Sequence, residues 1–327
     1  YAGNGRMRAA MARVISRHIA IRAVNPNGLV LTSGAGSALW LLVALLADAG
    51  QGVLVPTPYY YAYDRDFTAL SGCRVVPVIA EDPLAPKALS SAAAGEHCRV
   101  LVVTSPNNPT GEVISEQRLH AAIEWAGSSG VDVVVNELYA CSAPGFRSVL
   151  QLFADGLPPH VHFVWGLSKD FAANGLRCGC VYSGSDKVTE AMSSFAYFFQ
   201  VGGTVQQQLA ECLEDEQWVD WFLEESRQLL AGAVEATADA LRSVGAPFRV
   251  PGGALFVWAN LGTWASKVGG EEALFEHLLG LPGGGVLLCP GRAFRAPEGW
   301  FRICVTAAPE GHLSVGLDRL AAGLRSL

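Results

Sequence analysis

Lys169, which directly follows a predicted buried strand, is the residue in this sequence with the clearest potential for covalent chemistry. It belongs to the segment GLSKD at residues 166–170, after an apolar strand predicted over residues 162–165. Partial burial at the end of a strand lowers the pKa of a lysine, which suits an amine that forms Schiff bases with carbonyl compounds. Arg177 follows eight residues later and could hold an anion. Taken alone, a lysine in such a loop is more often simply solvated.

Two further loops follow predicted strands and could bind a ligand. Residues 33–37 read SGAGS between a strand and a helix, and backbone N–H groups at such a helix start bind anions, most often phosphate. A dinucleotide-binding turn would need Gly or Ala where Leu39 stands, so the sequence disfavours NAD. Residues 105–111 read SPNNPTG at the carboxyl end of a strand, where ligands bind in open α/β sheets. The simpler alternatives are a tight glycine turn and an ordinary Asn-Pro turn.

The elements that must position these loops alternate between short apolar strands and amphipathic helices. Strands are expected over residues 29–32, 52–55, 74–79, 100–104, 131–135 and 162–165. Such alternation is typical of βαβ units, so the predicted fold class is α/β with a mostly parallel sheet. After residue 204 the pattern changes to one long helix over residues 217–244, and a later strand is predicted over residues 286–289. We therefore predict a large domain over residues 1–235 and a smaller α+β C-terminal domain over residues 236–327.

The composition excludes several classes of protein. Of the 327 residues, 50% are hydrophobic and 16% are charged, which excludes intrinsic disorder and a coiled coil. The formal net charge is −7 and no long basic run occurs, so we expect no nucleic-acid partner. The longest stretch without an acidic or basic residue, 23–47, is broken by polar residues and glycines. Its apolar part is too short to cross a bilayer, so we expect no membrane association.

The cysteines indicate a reducing compartment. All eight are scattered through apolar segments without a CxxC pair, which is typical of reduced thiols in a cytoplasmic protein. Cys178 and Cys180 would share one face of a strand, and metal binding by that pair is an alternative. No further ligands have matching spacing, so no metal site is expected.

Taken together, the motifs resemble a known superfamily. The order SGAGS, PTPYYYAY, SPNNPTG, NELY and GLSK, followed by Arg177, is similar to that of fold-type-I enzymes that use pyridoxal 5′-phosphate (PLP), the class I/II aminotransferase superfamily. Within it, the segments VPTPYYYAYDRDF, LSKDFAANGLRCG and PGRAFRAPEGWFRIC most resemble the aminocyclopropane-carboxylate synthase branch. The resemblance covers essentially the whole chain. It implies the PLP-dependent transferase fold and PLP as the cofactor.

The resemblance implies roles for individual residues. Lys169 would form the Schiff base with PLP and carry the Cα proton, and Arg302 would bind the substrate α-carboxylate as a bidentate pair. Asn108 and Tyr139 would hydrogen-bond the 3′-oxygen of the cofactor, which gives Tyr139 a catalytic role, and Tyr60 would stack on the pyridine ring. The phosphate would be held by residues from separate loops, namely Gly34, Ala35, Ser168 and Arg177.

The resemblance also implies an assembly. Tyr1 begins a YxG segment whose tyrosine would reach the phosphate of the neighbouring subunit. A homodimer with shared active sites is therefore expected. The N-terminal segment that the family uses to complete the small domain and cover the site is absent from this sequence.

Some positions depart from the family pattern. Asn136 stands where the family has an aspartate that pairs with the pyridine nitrogen and keeps it protonated, and a neutral amide cannot stabilise that cation by charge. Three interpretations are open: altered chemistry, which we favour, loss of activity, or an engineered change. Gly166 replaces a phosphate-binding serine, so the site loses one hydroxyl donor. Arg65 could pair with Asp66 or approach the substrate.

The implied function is that of a cytoplasmic PLP enzyme acting on an α-amino acid. S-adenosylmethionine or a similar γ-substituted amino acid is the expected substrate, and a second small molecule could act as co-substrate. The expected reaction is Cα deprotonation followed by γ-elimination, γ-substitution or cyclisation. The first alternative is an aminotransferase that moves an amino group to a 2-oxo acid. The second alternative is a catalytically degenerate relative that binds PLP without turnover.

Overall fold

Two β-sheets form the framework of the protein. The computed structural model describes residues 2–69, 71–153, 155–307, 309 and 311–327. The strands of the large sheet are β1 (Leu29–Thr32), β2 (Gly52–Pro56), β3 (Arg74–Val78), β4 (Cys98–Thr104), β5 (Asp132–Asn136), β6 (Val161–Gly166) and β7 (Gly179–Ser183). Those of the small sheet are β8 (Phe248–Arg249), β9 (Phe256–Asn260), β10 (Cys289–Pro290) and β11 (Trp300–Cys304).

The large sheet is mostly parallel, which confirms the predicted α/β class. Its strand order is β1-β7-β6-β5-β4-β2-β3. Strands β2 to β6 pair in parallel, whereas β7 runs antiparallel to both of its neighbours. The small sheet has the order β10-β11-β9-β8 and is antiparallel throughout.

The helices cover both faces of the large sheet and pack around the small one. They are α1 (Gly5–His18), α2 (Ala35–Leu46), α3 (Tyr63–Ala69), α4 (Pro86–Ala93), α5 (Glu116–Ser129), α6 (Val149–Leu152), α7 (Leu167–Asp170), α8 (Asp186–Phe195), α9 (Gly203–Glu214), α10 (Glu216–Ser243), α11 (Gly262–Val268), α12 (Glu271–Leu279) and α13 (His312–Arg325). In the described part of the chain, none of these helices has the length and apolar character needed to cross a membrane.

Strand β4 shows how the sequence produces this layered arrangement. Leu101 and Val103 are buried with residues of α1, α5 and α9, while Val100 and Val102 are buried with residues of α2 and α3 on the opposite face. Successive side chains of a strand point to opposite faces, so a continuous apolar run is buried on both sides. Each such side chain contributes about 1.5–3 kcal/mol when fully buried.

Helix α10 connects the two sheets. Val219 and Leu223 near its start belong to the core of the large sheet, whereas Leu241 near its end belongs to the core of the small sheet. The predicted domain boundary between residues 235 and 236 falls inside this helix, and its position stays a prediction.

One strand prediction in the C-terminal region is wrong. Of the run expected over residues 286–289, only Cys289 lies in a strand, the two-residue β10. Leu287 is 71% exposed, so this apolar run lies at the surface instead of pairing along its length.

The topology brings the carboxyl ends of β4, β5 and β6 to one edge of the large sheet. The strand register places Thr104 beside Asn136, and Asn136 beside Val164 in β6. The loops that carry the chemical motifs therefore start next to one another, at the edge where open α/β sheets bind ligands.

Candidate active site

A cavity of ≈ 500 Å³ opens at this edge of the large sheet and extends to the small sheet. Nine of the predicted site residues line it, namely Ala35, Tyr60, Asn108, Asn136, Tyr139, Ser168, Lys169, Arg177 and Arg302. Gly34 directly precedes Ala35. Tyr1 lies outside the described residues.

Lys169 is held at the cavity by the short helix α7. The carboxyl group of the next residue, Asp170, is buried and accepts hydrogen bonds from Trp165 Nε1 at 2.8 Å and Cys141 N at 3.1 Å. Burial raises the pKa of Asp170 to about 7. These bonds tie α7 to β6 and to the segment after β5, which leaves Lys169 half-buried at the cavity wall.

The turn before α2 forms an anion-binding cradle with Arg177. Gly34 has a φ of 84°, and a Cβ there would overlap Arg177 Nη2, so the position requires glycine. Helix α2 begins at Ala35 without a side-chain cap, so its first backbone N–H groups remain available to an anion. Arg177 donates from Nη1 to Asn174 O at 3.0 Å and from Nη2 to Ser33 O at 3.3 Å, which keeps its charge beside this turn.

Arg302 presents a half-buried guanidinium group from β11. Its Cζ lies 4.4 Å from the centroid of the Phe256 ring and 4.9 Å from that of Phe294, both within range of a cation–π interaction. Its Nη1 donates to Asn108 Oδ1 at 2.8 Å and its Nη2 to Cys289 Sγ at 3.4 Å. Arg302 Nε is buried without a hydrogen-bond partner in the described part of the chain. A carboxylate would satisfy this group, because guanidinium and carboxylate form two parallel hydrogen bonds.

Asn108 and Tyr139 form a pair on the cavity wall. Both side chains are buried, and Asn108 Nδ2 donates to Tyr139 Oη at 3.4 Å. Burial raises the pKa of Tyr139 above its ordinary value. The phenol therefore remains protonated at neutral pH and can donate to an anionic oxygen.

Aromatic and acidic groups line the cavity near α3. The rings of Tyr60 and Tyr61 lie 4.9 Å apart between centroids, and Asp66 lines the same wall. Asp66 Oδ1 pairs with Arg65 Nη2 at 2.8 Å. Arg65 is expected either to pair with Asp66 or to approach the substrate. Its side chain is 77% exposed, and the structure shows the ion pair with Asp66.

Three neutral side chains form the cavity floor at the ends of β4 and β5. Asn136 Nδ2 donates to Tyr63 Oη at 2.8 Å, and Tyr63 Oη lies 2.8 Å from Thr104 Oγ1. Leu138 N donates to Asn136 Oδ1 at 3.3 Å. Burial raises the pKa of Tyr63 to about 12, so this phenol is neutral.

Sequence reasoning missed several of these residues. In the sequence, Thr104 falls only in a predicted strand and Tyr63 only in the motif PTPYYYAY, and no local spacing connects them with Asn136. Phe256 and Phe294 contact Arg302 from separate segments, and the strand register that aligns β9 with β11 is not visible in the sequence. The tyrosine-rich segment 59–63 was the available signal, since aromatic residues at a strand end often line sites.

A second cavity of ≈ 720 Å³ adjoins the first through Ser168, Lys169 and Asn174. Its other walls come largely from apolar residues of α10, including Leu229 and Leu230. The converging polar groups lie in the first cavity, which is therefore the candidate active site.

The residues of the first cavity fit PLP. The glycine turn and Arg177 would hold the phosphate, Lys169 would bind the aldehyde carbon, and Tyr139 would donate to the ring oxygen. A Cβ at Gly166 would lie 2.9 Å from Cys178 O, so this position has no room for the serine that the family carries there.

Comparisons with known proteins agree with the motifs. A family model described as aminotransferase class I and II matches residues 1–320. 1-Aminocyclopropane-1-carboxylate synthase 5 of Oryza sativa subsp. japonica is 31% identical over 98% of this chain, which spans 64% of that relative. 1-Aminocyclopropane-1-carboxylate synthase-like protein 1 of Mus musculus is 30% identical over 91% of this chain, which spans 63% of that protein. The chain thus spans slightly less than two thirds of these two relatives.

A solved structure is similar over the whole chain. The aspartate aminotransferase of Thermus thermophilus with maleate has a TM-score of 0.85 and 28% sequence identity, with 98% of this chain and 82% of that chain covered. Together with the family match, this confirms the resemblance that the motifs indicate.

Proposed function

Because the chain belongs to the aminotransferase class I and II family, whose members are PLP-dependent enzymes, we propose that it removes the Cα proton of an α-amino acid with a leaving group at Cγ. The proposed substrate is S-adenosylmethionine or an amino acid with a similar γ-substituent. The reaction would end in γ-elimination, γ-substitution or cyclisation, and a second small molecule could supply the incoming group. The name of the rice relative favours a synthase of this kind.

The proposal rests on one observation. A single cavity contains an amine, a guanidinium group that can bind a carboxylate (the carboxylate clamp) and the anion-binding cradle. Lys169, Arg302 and Arg177 all line it. An α-amino acid substrate offers a carboxylate for the clamp, and a phosphorylated cofactor offers an anion for the cradle. The same cavity thus contains the amine and the two groups that would fix its reaction partners.

Each residue has a separate task in this reaction. PLP, when bound, supplies the electron sink that makes the Cα–H of the amino acid acidic. Lys169 Nζ would hold the cofactor through its aldehyde carbon and would take the proton from Cα of the substrate. Arg302 would orient the substrate through its carboxylate, so that the Cα–H bond faces Lys169. Asn108 contacts both Arg302 and Tyr139, so substrate and cofactor positions are coupled through one amide.

The wall near α3 supports a substrate with a positively charged γ-substituent. Tyr60 and Tyr61 present aromatic rings, and Asp66 presents a carboxylate. The Asp66 carboxylate is already paired with Arg65, so the attraction for a sulfonium group comes from the faces of the two rings. This is the feature that favours S-adenosylmethionine over a neutral γ-substituted amino acid.

Two alternatives have support of their own. An aminotransferase reaction is favoured by the similarity to aspartate aminotransferase. A degenerate PLP-binding protein is favoured by the neutral Asn136 where the family has an acid. Both alternatives predict PLP binding through Lys169, so they differ from the main proposal only in turnover.

A methylthioadenosine assay tests the proposal. The PLP-loaded protein is incubated with S-adenosylmethionine, and we expect release of methylthioadenosine that Lys169→Ala abolishes. Lys187→Ala is the matched control, because Lys187 is exposed on α8. If glutamate instead converts the bound cofactor to its amine form, the aminotransferase alternative is correct. If neither substrate reacts although PLP is bound, the degenerate alternative is correct.

We also propose a homodimer in the cytoplasm. Phe195 and Phe198 are 46% and 71% exposed beside the turn that precedes α2, which supports a partner surface there. The eight cysteines are free, which supports a reducing compartment. Light scattering of the purified protein would test the dimer, and a monomeric mass would contradict it.

A further inference from the structure

The hydrogen bonds at the cavity floor have a direction that one backbone group determines. Leu138 N–H can only donate, so the atom of the Asn136 amide 3.3 Å away must be the oxygen. The amide nitrogen therefore faces Tyr63 Oη and donates one hydrogen to it. Tyr63 Oη accepts this hydrogen and shares a second hydrogen bond with Thr104 Oγ1, in which either hydroxyl group can donate. Asn136 lines the cavity, so its second N–H can donate to a group that binds there.

The charges around the cavity favour a neutral partner for that N–H. Arg177 and Arg302 place two guanidinium cations in the cavity wall. Among the described residues that line the cavity, Asp66 carries the only carboxylate, and it is paired with Arg65. A protonated pyridine nitrogen at the floor would add another positive charge beside buried neutral groups, which is unfavourable without a compensating anion.

We propose that Tyr63 and Thr104 are positioning residues that hold Asn136 as a hydrogen-bond donor toward the ring nitrogen of PLP, so that this nitrogen stays unprotonated. This rests on the proposed function, because PLP must bind with its ring nitrogen toward β5. An unprotonated ring withdraws electrons less strongly. It therefore makes the Cα–H of the substrate less acidic and disfavours proton transfer onto the cofactor, which an aminotransferase requires.

The protonation state of bound PLP tests this directly and needs no turnover. The protein is loaded with PLP that carries an isotopic label at the ring nitrogen, and the nitrogen chemical shift is measured by NMR. We expect the shift of an unprotonated pyridine in the wild-type protein at neutral pH and of a protonated one in Asn136→Asp. A protonated shift in the wild-type protein would overturn the proposal, whatever its activity.

The affinity for PLP tests the positioning role. Tyr63→Phe removes the acceptor that holds the Asn136 amide, and we expect the dissociation constant of PLP to rise roughly tenfold. Thr104→Val removes only the hydroxyl group that contacts Tyr63 Oη, and we expect the dissociation constant of PLP to rise by about threefold. Tyr59→Phe is the matched control, because Tyr59 is also buried but its Oη contacts Asp64 at 2.9 Å. If Tyr63→Phe and Tyr59→Phe bind PLP with equal affinity, Tyr63 is not a positioning residue.

Failure of the proposed function would look different. If borohydride fails to fix PLP to Lys169 of the wild-type protein, both the function and this inference are wrong. If the ring nitrogen is unprotonated but S-adenosylmethionine gives no methylthioadenosine, the inference stands and the proposed reaction is wrong.

Discussion

Arg177 and Arg302 line the same cavity but hold their charges in opposite environments. Arg177 is exposed, and its hydrogen bonds go to the backbone oxygens of Asn174 and Ser33. Arg302 is enclosed by two phenyl rings and keeps one buried N–H without a partner in the described chain. The difference suits two kinds of anion. A cofactor phosphate that stays bound can rely on several moderate contacts, whereas a substrate carboxylate that enters and leaves needs one strong, desolvated partner.

The largest effect should come from Arg302, the half-buried arginine. Arg302→Lys removes the bidentate geometry and leaves Asn108 Oδ1 without its donor, because an ammonium group cannot reproduce the planar fork. We expect kcat/KM to fall by about a thousandfold, corresponding to about 4 kcal/mol. The affinity for PLP should change less than about threefold, since the proposed partner of Arg302 is the substrate and not the cofactor. Steady-state kinetics and a PLP titration measure the two quantities.

Arg292→Lys provides the control for this substitution. Arg292 lies in the same C-terminal segment but is exposed and paired with Glu272. It should retain wild-type kinetics. A similar loss of activity in both variants would mean that Arg302 acts through the stability of the segment and not through the carboxylate.

Glu137, which directly follows Asn136 in the chain, is a buried acidic residue next to the site. It shows how burial affects a group that would carry a negative charge. Glu137 is fully buried; its Oε1 accepts from Val149 N at 2.6 Å, while its Oε2 has no partner among the described residues. Burial raises the pKa of Glu137 from about 4.5 to about 8. The folded state therefore holds the proton more tightly than the unfolded state, and this stabilising contribution is lost as the pH rises from about 4.5 through about 8.

Glu137→Gln should remove this pH dependence. Glutamine keeps an acceptor for Val149 N–H but has no charge to bury. Relative to the wild-type protein, we expect its free energy of unfolding to increase by on the order of 3 kcal/mol between pH 5 and pH 8. Urea unfolding at several pH values measures this difference. Glu124→Gln, at a side chain 71% exposed, should show no such trend, and a flat difference curve for Glu137→Gln would contradict the prediction.

The exposed arginine should give a smaller effect of a different kind. Arg177→Ala removes a solvent-accessible charge from the anion cradle but leaves the N-terminus of α2 in place. We expect the affinity for PLP to fall by about tenfold, with little change in KM for the amino acid. Arg74→Ala, at an exposed arginine paired with Glu96, serves as the control. A change in KM without a change in PLP affinity would reverse the assignment of the two arginines.

The sequence predicts the residues at strand ends better than the contacts between distant segments. Lys169 follows β6 and Asn136 ends β5 because apolar strands and the loops after them leave a local pattern. The bond between Asn136 and Tyr63 joins positions 73 residues apart, and no periodicity encodes it. The antiparallel direction of β7 and the short β10 are equally invisible, since both depend on which strand becomes the neighbour. Local composition thus identified the chemical groups, while their relative geometry required the fold.

The smallest effect should come from the ring on one side of Arg302. Phe256→Leu keeps an apolar side chain but removes the aromatic face that lies 4.4 Å from the guanidinium carbon. A cation–π interaction at a desolvated site is worth about 1 kcal/mol, so we expect KM for the amino acid to rise about fivefold while kcat and PLP affinity stay near wild type. Phe248→Leu removes the ring beside Arg242, 5.6 Å away, and should leave KM unchanged. If KM is also unchanged in Phe256→Leu, the strength of the clamp comes from desolvation and the contact with Asn108. In that case the two arginines differ in burial alone, and the rings serve only to exclude water.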